Sequence, residues 1–474
     1  MDRKQEKFKI LKFGGTSLGT VERIKHVANL ICNNELNLVV LSAMSGTTNS
    51  LAEIASLLFN GDIDGAQRDI ECLKSKYIEV ADKLYLSAKS IEEAKKFILC
   101  SFSSLQTIAQ SPISSKQEKI ILSQGELLIT RLMHIYLKEI GIVSVLLPAI
   151  EFMRTDRNGE PDIHFIKRNV CKLLKHYPNN RLFITQGYIC RNVSGEIDNL
   201  QRGGSDYTAS LLGSALNACE IQIWTDIDGL HNNDPRVVST TAPVRTLTFD
   251  EASKLAYFGA KILHPTCILP AKLKNIPVRL LNTMNPQAPG TLISDTADTG
   301  KIKAVAAKDN VTYIKLRSHY KIPCYRFLEK IFHCFAQSHT PIDLVVTSNV
   351  EISLSIDNKI HLPKIISMLE RYADVSVEDD MVIICVVGDL KWYNVGFEHQ
   401  IVEALKDIPV RMISYGDNCD VSFVMRRDDK KRALEALSQR VFTSFTPASS
   451  GSIIIRPQYS QTIIFLRILI SSCL

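Results

Sequence analysis

The chain has 474 residues, which is too long for a single compact core and favours roughly three domains. With 45% hydrophobic and 22% charged residues, its composition is that of an ordinary globular protein. The formal net charge of +6 suits anionic small molecules. Because the lysines and arginines form no stripe or patch along the sequence, we expect no nucleic-acid partner.

The twelve cysteines lie far apart, and no two of them show the C-x-x-C spacing of zinc sites and redox dithiols. We therefore expect reduced thiols in a cytoplasmic protein. The N-terminal residues contain no long apolar stretch, so the sequence predicts no secretion signal. No apolar run approaches the length of a membrane-spanning helix, so we expect no membrane partner.

Strand-like and helix-like segments alternate over residues 1–299. The apolar run Phe8–Phe13 predicts the first strand, and Val21–Cys32, with apolar residues at helical spacing, predicts the first helix. Further strands are predicted at Leu38–Leu41, Leu182–Thr185, Ile221–Trp224 and Val278–Leu281. Such alternation predicts a mainly parallel sheet with helices on both faces, which binds ligands beyond the carboxyl ends of its strands.

A segment rich in proline, glycine and small polar residues, Pro286–Thr299, predicts a domain boundary. Beyond it the sequence contains two similar units, each with an amphipathic helix followed by two short strands, at 341–346 and 350–356 and again at 409–413 and 419–425. This β-α-β-β repeat is typical of ferredoxin-like modules, which we place at 300–380 and 381–445. The repeat alone leaves open whether the modules only form a dimer or also sense a ligand.

The C-terminal segment, residues 446–474, begins with small polar residues and contains the apolar run Ile463–Ile470, which Arg467 interrupts. This run is too short to cross a bilayer. The segment is interpreted as a disordered tail or as an added edge strand.

The clearest candidate for chemistry is Lys12-Phe13-Gly14-Gly15-Thr16-Ser17, at the end of the first strand. Two glycines let the backbone approach a ligand closely, and amide groups at the following helix start favour an anion. A Walker A loop would require a lysine after its second glycine, but Thr20 follows Gly19. A strand followed by two glycines can equally be a tight turn. The ammonium group of Lys12 favours a phosphate site.

A second glycine pair stands in Arg202-Gly203-Gly204-Ser205-Asp206, again before a predicted helix. The Arg202 guanidinium can hold a carboxylate through two parallel hydrogen bonds. Asp206 either stabilises the first helical turn through the helix dipole or orients Lys12 or a substrate ammonium. Because Arg202 and Asp206 flank the same turn, we favour the second interpretation.

Three further motifs, taken alone, are weaker evidence for a functional site. Thr225-Asp226, with Asp234 beyond, could hold a ribose and base or could be turn residues. Lys261 stands in an apolar stretch, Tyr257–Pro265, that predicts a helix, and a buried lysine there would need an anion such as phosphate. Glu126 is expected in the first turn of a helix beginning at Ser123, where it could meet an ammonium or simply favour the helix dipole.

These motifs together resemble those of the aspartate kinases of the amino-acid kinase family, most closely the monofunctional, lysine-sensitive type. The matching segments occur in the family's order between residues 8 and 445, namely Lys12–Ser17, Leu41–Asn49, Ser123–Glu126, Arg202–Thr208, Trp224–Asp226, Asp234–Arg236 and Phe258–Pro265. The resemblance implies an α/β fold, a carbamate-kinase-like α/β/α sandwich with a mainly parallel central sheet, followed by two ACT modules. It also implies transfer of the γ-phosphoryl group of ATP to the β-carboxylate of L-aspartate, on the route to lysine, threonine and methionine.

The resemblance implies roles for individual residues. The catalytic residues would be Lys12, Asp206 and Lys261. ATP would be bound by Lys12, Gly14, Gly15, Gly203, Gly204, Thr225, Asp226, Asp234 and Lys261, and L-aspartate by Thr48, Glu126, Arg202 and Ser205. Mg²⁺ would be held mainly by ATP phosphates and water, without protein ligands. An amino-acid effector would be contacted, at a homodimer interface of ACT modules, by Phe327, Leu328, Asp343, Val345, Thr347 and Ser348.

The sequence departs from the family pattern at several positions. The turn glycine before Arg202 is replaced by Gln201. In the first module, Lys321, Arg326 and Asn349 stand where relatives carry methionine, glycine and glutamate. Added positive charge and lost negative charge disfavour a cationic effector by on the order of 1 kcal/mol or more per close pair. We therefore expect weakened or altered inhibition by lysine.

The sequence disfavours three alternative functions. A kinase of the same fold acting on another small substrate, such as glutamate, acetylglutamate, carbamate or UMP, is disfavoured by Lys12–Ser17 together with the twin modules. A bifunctional enzyme with homoserine dehydrogenase is disfavoured because no G-x-G-x-x-G follows residue 300. A catalytically inactive amino-acid sensor is disfavoured by the presence of both Lys12 and Lys261.

Overall fold

The computed structural model describes residues 6–200, 203–260, 263–319, 323–391, 396–416 and 418–442. The tail predicted at 446–474 lies outside this range. The strands up to residue 294 are β1 (Lys9–Phe13), β2 (Asn37–Leu41), β3 (Val145–Leu147), β4 (Leu182–Gln186), β5 (Ile189–Arg191), β6 (Ile197–Asn199), β7 (Glu220–Thr225), β8 (Thr246–Thr248), β9 (Val278–Asn282) and β10 (Thr291–Ser294). The strands predicted from the sequence in this part are therefore present.

Eight of these strands form one sheet in the order β3-β4-β2-β1-β7-β9-β10-β8. Its neighbouring strands are parallel except for β9 and β10. The surrounding helices are α1 (Val21–Ile31), α2 (Thr47–Phe59), α3 (Ile63–Leu84), α4 (Ala88–Ile108), α5 (Ser115–Glu139), α6 (Ile163–Leu174), α7 (Gly204–Leu216), α8 (Phe249–Tyr257) and α9 (Pro265–Leu273).

The sheet separates two hydrophobic cores, as expected when helices cover both of its faces. Ile10 of β1 is buried in one core, and its neighbour Leu11 is buried in the other. Successive side chains of a strand point to opposite faces, so a strand in which two neighbouring apolar side chains are both buried must be covered on both sides. The predicted α/β/α sandwich is confirmed.

Two local predictions were wrong. The helix that carries Glu126 begins at Ser115 and not at Ser123, because Ser114 and Gln117 form a capping box there. Glu126 therefore lies well inside α5. The second error concerns residues 257–265, since α8 ends at Tyr257 and α9 begins only at Pro265. Gly259, with a φ of +109°, adopts a backbone conformation that a helix does not allow.

The C-terminal part contains β11 (Ile302–Ser318), β12 (Leu344–Thr347), β13 (Glu351–Ile356), β14 (Ala373–Gly388), β15 (Val410–Tyr415) and β16 (Asp420–Arg426), with helices α10 (Cys324–Gln337), α11 (Leu362–Leu369), α12 (Phe397–Leu405) and α13 (Lys430–Leu437). Its strands form an antiparallel sheet in the order β12-β13-β11-β14-β16-β15. The two predicted strand pairs, each after its amphipathic helix, are present.

The long strands β11 and β14 run through both C-terminal units. The second half of β11 pairs with β13, whereas its first half, residues 302–308, pairs with the part of β14 that also pairs with β16. Residues 302–308 thus supply an outer strand to the second unit. The division of the chain at residues 299, 380 and 445 stays a prediction. Among the described residues, none of the helices combines the length and apolar character needed to cross a membrane.

Candidate active site

The ammonium group of Lys12 forms an ion pair with the carboxylate of Asp206 at the carboxyl edge of the parallel sheet. Lys12 Nζ lies 2.7 Å from Asp206 Oδ1, and both side chains are largely buried. Lys12 stands near the end of β1, and Asp206 stands in the first turn of α7. The pair therefore joins the first predicted motif to the second. The contact agrees with the expectation that Asp206 orients Lys12, while the catalytic roles stay predictions.

The loop that follows β1 is fixed by the ends of both neighbouring strands. The amide of Ser45, after β2, donates to the carbonyl of Gly15 at 3.1 Å. The amide of Gly14 donates to the carbonyl of Trp224, near the end of β7, at 3.3 Å. Because parallel strands end at the same edge of a sheet, Gly14 and Gly15 lie where three strand ends meet.

The second glycine pair packs against the start of α9. Gly203 has a φ of +75°, and a Cβ atom at this position would lie only 2.7 Å from Cβ of His264. The thiol of Cys267 in α9 contacts the carbonyl of Gly203 at 3.6 Å. Gly204 packs equally closely, since a Cβ there would lie 2.5 Å from the ring of Tyr188. Only glycine fits these two positions.

Glu126 is buried in the interior of α5, with one carboxylate oxygen unused. Its Oε1 accepts a hydrogen bond from the amide of Ala43 at 3.1 Å. Its Oε2 is buried and has no hydrogen-bond partner among the described residues. Burial raises the pKa of Glu126 to about 7, while the amide of Ala43 and the charge of Lys12 act in the opposite direction. A buried acceptor without a donor is suited to a ligand that brings an ammonium group.

The two hydroxyl residues predicted to bind aspartate both stand in first helical turns. Thr48 is exposed in the first turn of α2. The connection between β2 and α2 contains Ala43, whose amide donates to Glu126. Ser205 is buried at the start of α7, directly before Asp206. The structure therefore places Thr48, Glu126 and Ser205 on segments that border the Lys12 ion pair.

The predicted nucleoside residues differ in their hydrogen-bond partners. Thr225 ends β7, and its hydroxyl donates to Asp226 Oδ1 at 3.1 Å. Both residues follow Trp224, so they adjoin Gly14. The carboxylate of Asp234 instead accepts two hydrogen bonds from the guanidinium of Arg236, at 2.9 and 2.7 Å. These contacts lower the pKa of Asp234 below its usual value.

Comparisons with known proteins identify the fold family. Residues 7–282 match the model of the amino acid kinase family, and residues 384–441 match that of an ACT domain. The chain is 32% identical to aspartokinase 1, chloroplastic, of Arabidopsis thaliana over 92% of its own length and 80% of that protein. It is 30% identical to the lysine-sensitive aspartokinase 3 of Escherichia coli strain K12 over 91% of its length and 99% of that protein. The chain belongs to the aspartokinases.

A solved structure agrees with this assignment. The crystal structure of E. coli aspartokinase III in complex with aspartate and ADP superposes with a TM-score of 0.81 at 29% identity, covering 92% of this chain and 100% of that one. The resemblance inferred from the motifs is confirmed, as is the fold of an amino acid kinase sandwich followed by an ACT-type antiparallel part.

Two cations of the predicted site, Arg202 and Lys261, lie outside the described residues, as does Lys321 of the first regulatory unit. The described neighbours of the first two are close together, because Gly203, next to Arg202, packs against His264, which follows Lys261 in the same connection between α8 and α9. His264 is the N-cap residue of α9. The roles of Arg202 and Lys261 in ligand binding stay predictions.

The predicted effector residues differ in how accessible they are. Phe327 is buried in the hydrophobic core of the first unit, with Leu328 partly buried beside it, whereas Thr347 and Ser348 are exposed. Val345 is half-buried in the edge strand β12. The carboxylate of Asp343 is already engaged, by Lys308 Nζ at 2.6 Å and by the hydroxyl of Tyr257 at 2.7 Å.

Several residues of the site were not predicted from the sequence. Tyr188 and Cys267, which pack against the second glycine pair, belong to no recognisable motif. Arg236 belongs to a matching segment, but no partner was assigned to it. Thr283 contacts Ser17 across a large separation in sequence. A single sequence carries no signal for such contacts.

Proposed function

We propose that the protein transfers the γ-phosphoryl group of ATP to the β-carboxylate of L-aspartate, which gives 4-phospho-L-aspartate. The observation that carries this proposal is the meeting of Lys12, both glycine turns and the unpaired carboxylate oxygen of Glu126 at one edge of the sheet. Lys12 and the glycine turns are suited to binding a phosphate, and the free carboxylate oxygen of Glu126 is suited to binding an ammonium group. The E. coli relative was solved with aspartate and ADP.

The chemistry requires positioning more than proton transfer. The β-carboxyl group of an aspartate in water has a pKa of about 3.9, so it is already an anion at neutral pH and needs no general base. The main obstacle is that this anion must approach the negatively charged phosphates. Catalysis of phosphoryl transfer is largely positioning and electrostatic stabilisation, which lysines and backbone amides supply.

At the nucleotide end, we assign Lys12 and Lys261 to the phosphates. Gly14, Gly15, Gly203 and Gly204 would line the phosphate path, and Thr225, Asp226 and Asp234 would hold the nucleoside. Asp206 would fix the Lys12 ammonium, which it contacts at 2.7 Å. Because the Lys12 side chain is largely buried, its charge is poorly screened by water and acts strongly on a bound phosphate.

Mg²⁺ would arrive with ATP. In the described part of the chain, no three His, Cys, Asp or Glu side chains converge as the ligands of a protein-bound metal would. We therefore assign its ligation to ATP phosphates and water, and its contribution would be to neutralise phosphate charge.

At the acceptor end, we assign Glu126 to the α-ammonium group of aspartate and Arg202 to its α-carboxylate. Thr48 and Ser205 would supply hydroxyl groups. The free Oε2 of Glu126 is the feature that supports this assignment, because burying an ionised carboxylate is unfavourable until a cationic partner arrives. An ammonium beside Glu126 would lower the pKa of the carboxyl group again.

The C-terminal part would regulate the enzyme. We propose that it binds an amino-acid effector and forms a homodimer through its ACT modules. Inhibition by lysine would be weak, since both Arg326 and Asn349 are exposed near the predicted effector residues. Arg326 adds a positive charge there, and the neutral Asn349 replaces a negative one. A cytoplasmic location remains a prediction from the sequence.

A hydroxylamine-trapping assay with ATP and Mg²⁺ tests the proposed reaction, because hydroxylamine converts an acyl phosphate into a coloured hydroxamate. Aspartate should give product, whereas glutamate, acetylglutamate and carbamate should not. Equal product from glutamate would contradict the assignment of aspartate as acceptor. Absence of product with every acceptor would favour an inactive sensor.

A further inference from the structure

Thr283, which directly follows β9, uses its three polar groups on three different segments of the kinase part. Its amide donates to the carbonyl of Thr225 at 2.7 Å. Its hydroxyl lies 2.7 Å from the hydroxyl of Ser17. Its carbonyl accepts a hydrogen bond from Nε2 of His26 in α1 at 2.7 Å. Thr283 is completely buried.

The contact with Ser17 reaches across a whole strand. In the sheet, β7 lies between β1 and β9. The side chain of Thr283 therefore extends past the end of β7 to the turn Thr16–Leu18, which follows the first glycine pair. The amide of Ser17 donates back to the carbonyl of Gly14 at 3.0 Å. A contact that fixes Ser17 therefore also fixes the shape of the turn at Gly14 and Gly15.

The other two contacts extend this connection. Thr225 belongs to the proposed nucleoside end, and His26 lies on α1, the helix that follows the glycine turn. Thr283 thereby links the phosphate side of the site to its nucleoside side. Ser17 is as fully buried as Thr283, so removing the Thr283 hydroxyl would weaken the hydrogen bonding of a group that water does not reach.

We propose that Thr283 is a positioning residue for the nucleotide. It holds the Gly14-Gly15 turn and the end of β7 at a fixed separation, so that the two ends of one ATP molecule fit both at once. The inference rests on the proposed function in placing ATP at this edge of the sheet. Two of the described hydrogen bonds of Thr283 join it to Thr225 and Ser17, on the proposed nucleotide side. None of those described goes to α5 or α2, which carry Glu126 and Thr48.

The test compares three variants of the full chain. Thr283→Val removes the hydroxyl at nearly constant volume, and Thr283→Ser keeps it. Thr312→Val is the matched control, because Thr312 is an equally buried threonine whose hydroxyl donates to Asp379 at 2.7 Å in the C-terminal sheet. KM for ATP, KM for aspartate and kcat are measured for each variant, together with ADP binding by calorimetry.

Thr283→Val should weaken ADP binding and raise KM for ATP roughly tenfold, as expected for a lost buried hydrogen bond, and should leave KM for aspartate within about twofold. Thr283→Ser and Thr312→Val should both resemble the unaltered protein in nucleotide binding. Equal changes in both KM values would overturn the proposal. So would a Thr283→Ser variant that binds ADP as weakly as Thr283→Val does.

Ser17→Ala removes the same contact from the other side and keeps the proposal testable if Thr283→Val does not fold. It should weaken ADP binding to a similar extent, and unchanged binding would overturn the inference. ADP binding also separates the two proposals. A protein that binds ADP in a Thr283-dependent way but forms no hydroxamate from aspartate would support the positioning role and contradict the proposed acceptor.

Discussion

The hydroxyl of Tyr257 donates a hydrogen bond to Oδ1 of Asp343 at 2.7 Å, and this bond connects the kinase part to the regulatory part. Two further polar contacts attach the same helix, α8, to the regulatory sheet. Glu251 forms a buried ion pair with Lys303 of β11, and Lys254 lies 3.0 Å from Asp420 of β16. The helix is thus fixed at its start, middle and end, just before the connection that carries Lys261.

This arrangement predicts that Tyr257→Phe weakens the effect of an amino-acid effector on activity. The variant keeps the ring, which packs against Phe258 and lies 4.6 Å from the Lys308 ammonium, and loses only the hydrogen bond. Inhibition curves measure the effect. Tyr313→Phe, which loses a bond to Ser353 within the regulatory sheet, is the matched control. Identical curves for the two variants would show that the Tyr257–Asp343 bond does not couple the parts.

Removing the Lys12 ammonium should abolish most turnover. We expect Lys12→Ala to lower kcat by roughly a hundredfold or more, as is typical for the loss of one group that stabilises developing charge. Lys9→Ala on the same strand is the control, since Lys9 pairs with Glu35 near the opposite end of β1. A Lys12→Ala variant with full activity and an intact circular dichroism spectrum would refute the assignment.

The raised pKa of Glu126, about 7, predicts pH-dependent binding of aspartate. Only the ionised carboxylate pairs with an ammonium group, so KM for aspartate should fall as the pH rises through about 7. Glu126→Gln should raise KM for aspartate and remove this dependence. The measurement is KM for aspartate between pH 6 and pH 8.5, with KM for ATP as the internal control.

The same shift predicts an effect on stability. A carboxyl group whose pKa is higher in the folded than in the unfolded chain stabilises the fold below the unfolded value, near 4.5, and that contribution is lost as the pH rises through about 7. Without ligand, the melting temperature of Glu126→Gln relative to that of the unaltered protein should therefore be higher at pH 8 than at pH 5. The same difference in melting temperature at both pH values would contradict the raised pKa.

The ion pair of Lys303 and Glu251 should be sensitive to loss of one partner. Both side chains are at most 5% exposed, and their charged atoms lie 3.0 Å apart. Removing one charge leaves the other buried without compensation, so Lys303→Met should cost about 3–5 kcal/mol of unfolding free energy. Lys83→Met, at an exposed helical pair with Glu79, should cost almost nothing. Denaturant unfolding of both variants distinguishes the two cases.

Lysine should inhibit the enzyme weakly. Titration of activity with lysine, threonine and methionine measures this, and strong inhibition at low lysine concentration would contradict the expectation. Asn349→Glu should strengthen lysine inhibition about fivefold, since one additional close charge pair contributes on the order of 1 kcal/mol. Gln110→Glu, which adds the same single negative charge at an exposed position of the kinase part, serves as a control for general effects of net charge.

The amino-acid sequence by itself determined the central strands and the main motifs. Short apolar runs such as Phe8–Phe13, ended by a glycine pair, are typical of buried parallel strands. The glycine pairs with Lys12 and Asp206 predict an anion site through local chemistry. The β-α-β-β repeat was equally visible. These features are local, so the order of residues along the chain suffices to show them.

Only the tertiary structure decided which distant residues meet. Thr283 contacts Ser17, Tyr257 contacts Asp343, and Glu126 faces the site from the interior of a helix whose start was misjudged. Strand β11 serves both regulatory units, although the repeat in the sequence suggested two separate ones. Such contacts depend on the order of strands in a sheet and on how helices pack against it. Both are set by burial of the whole chain and leave no periodic pattern in any one segment.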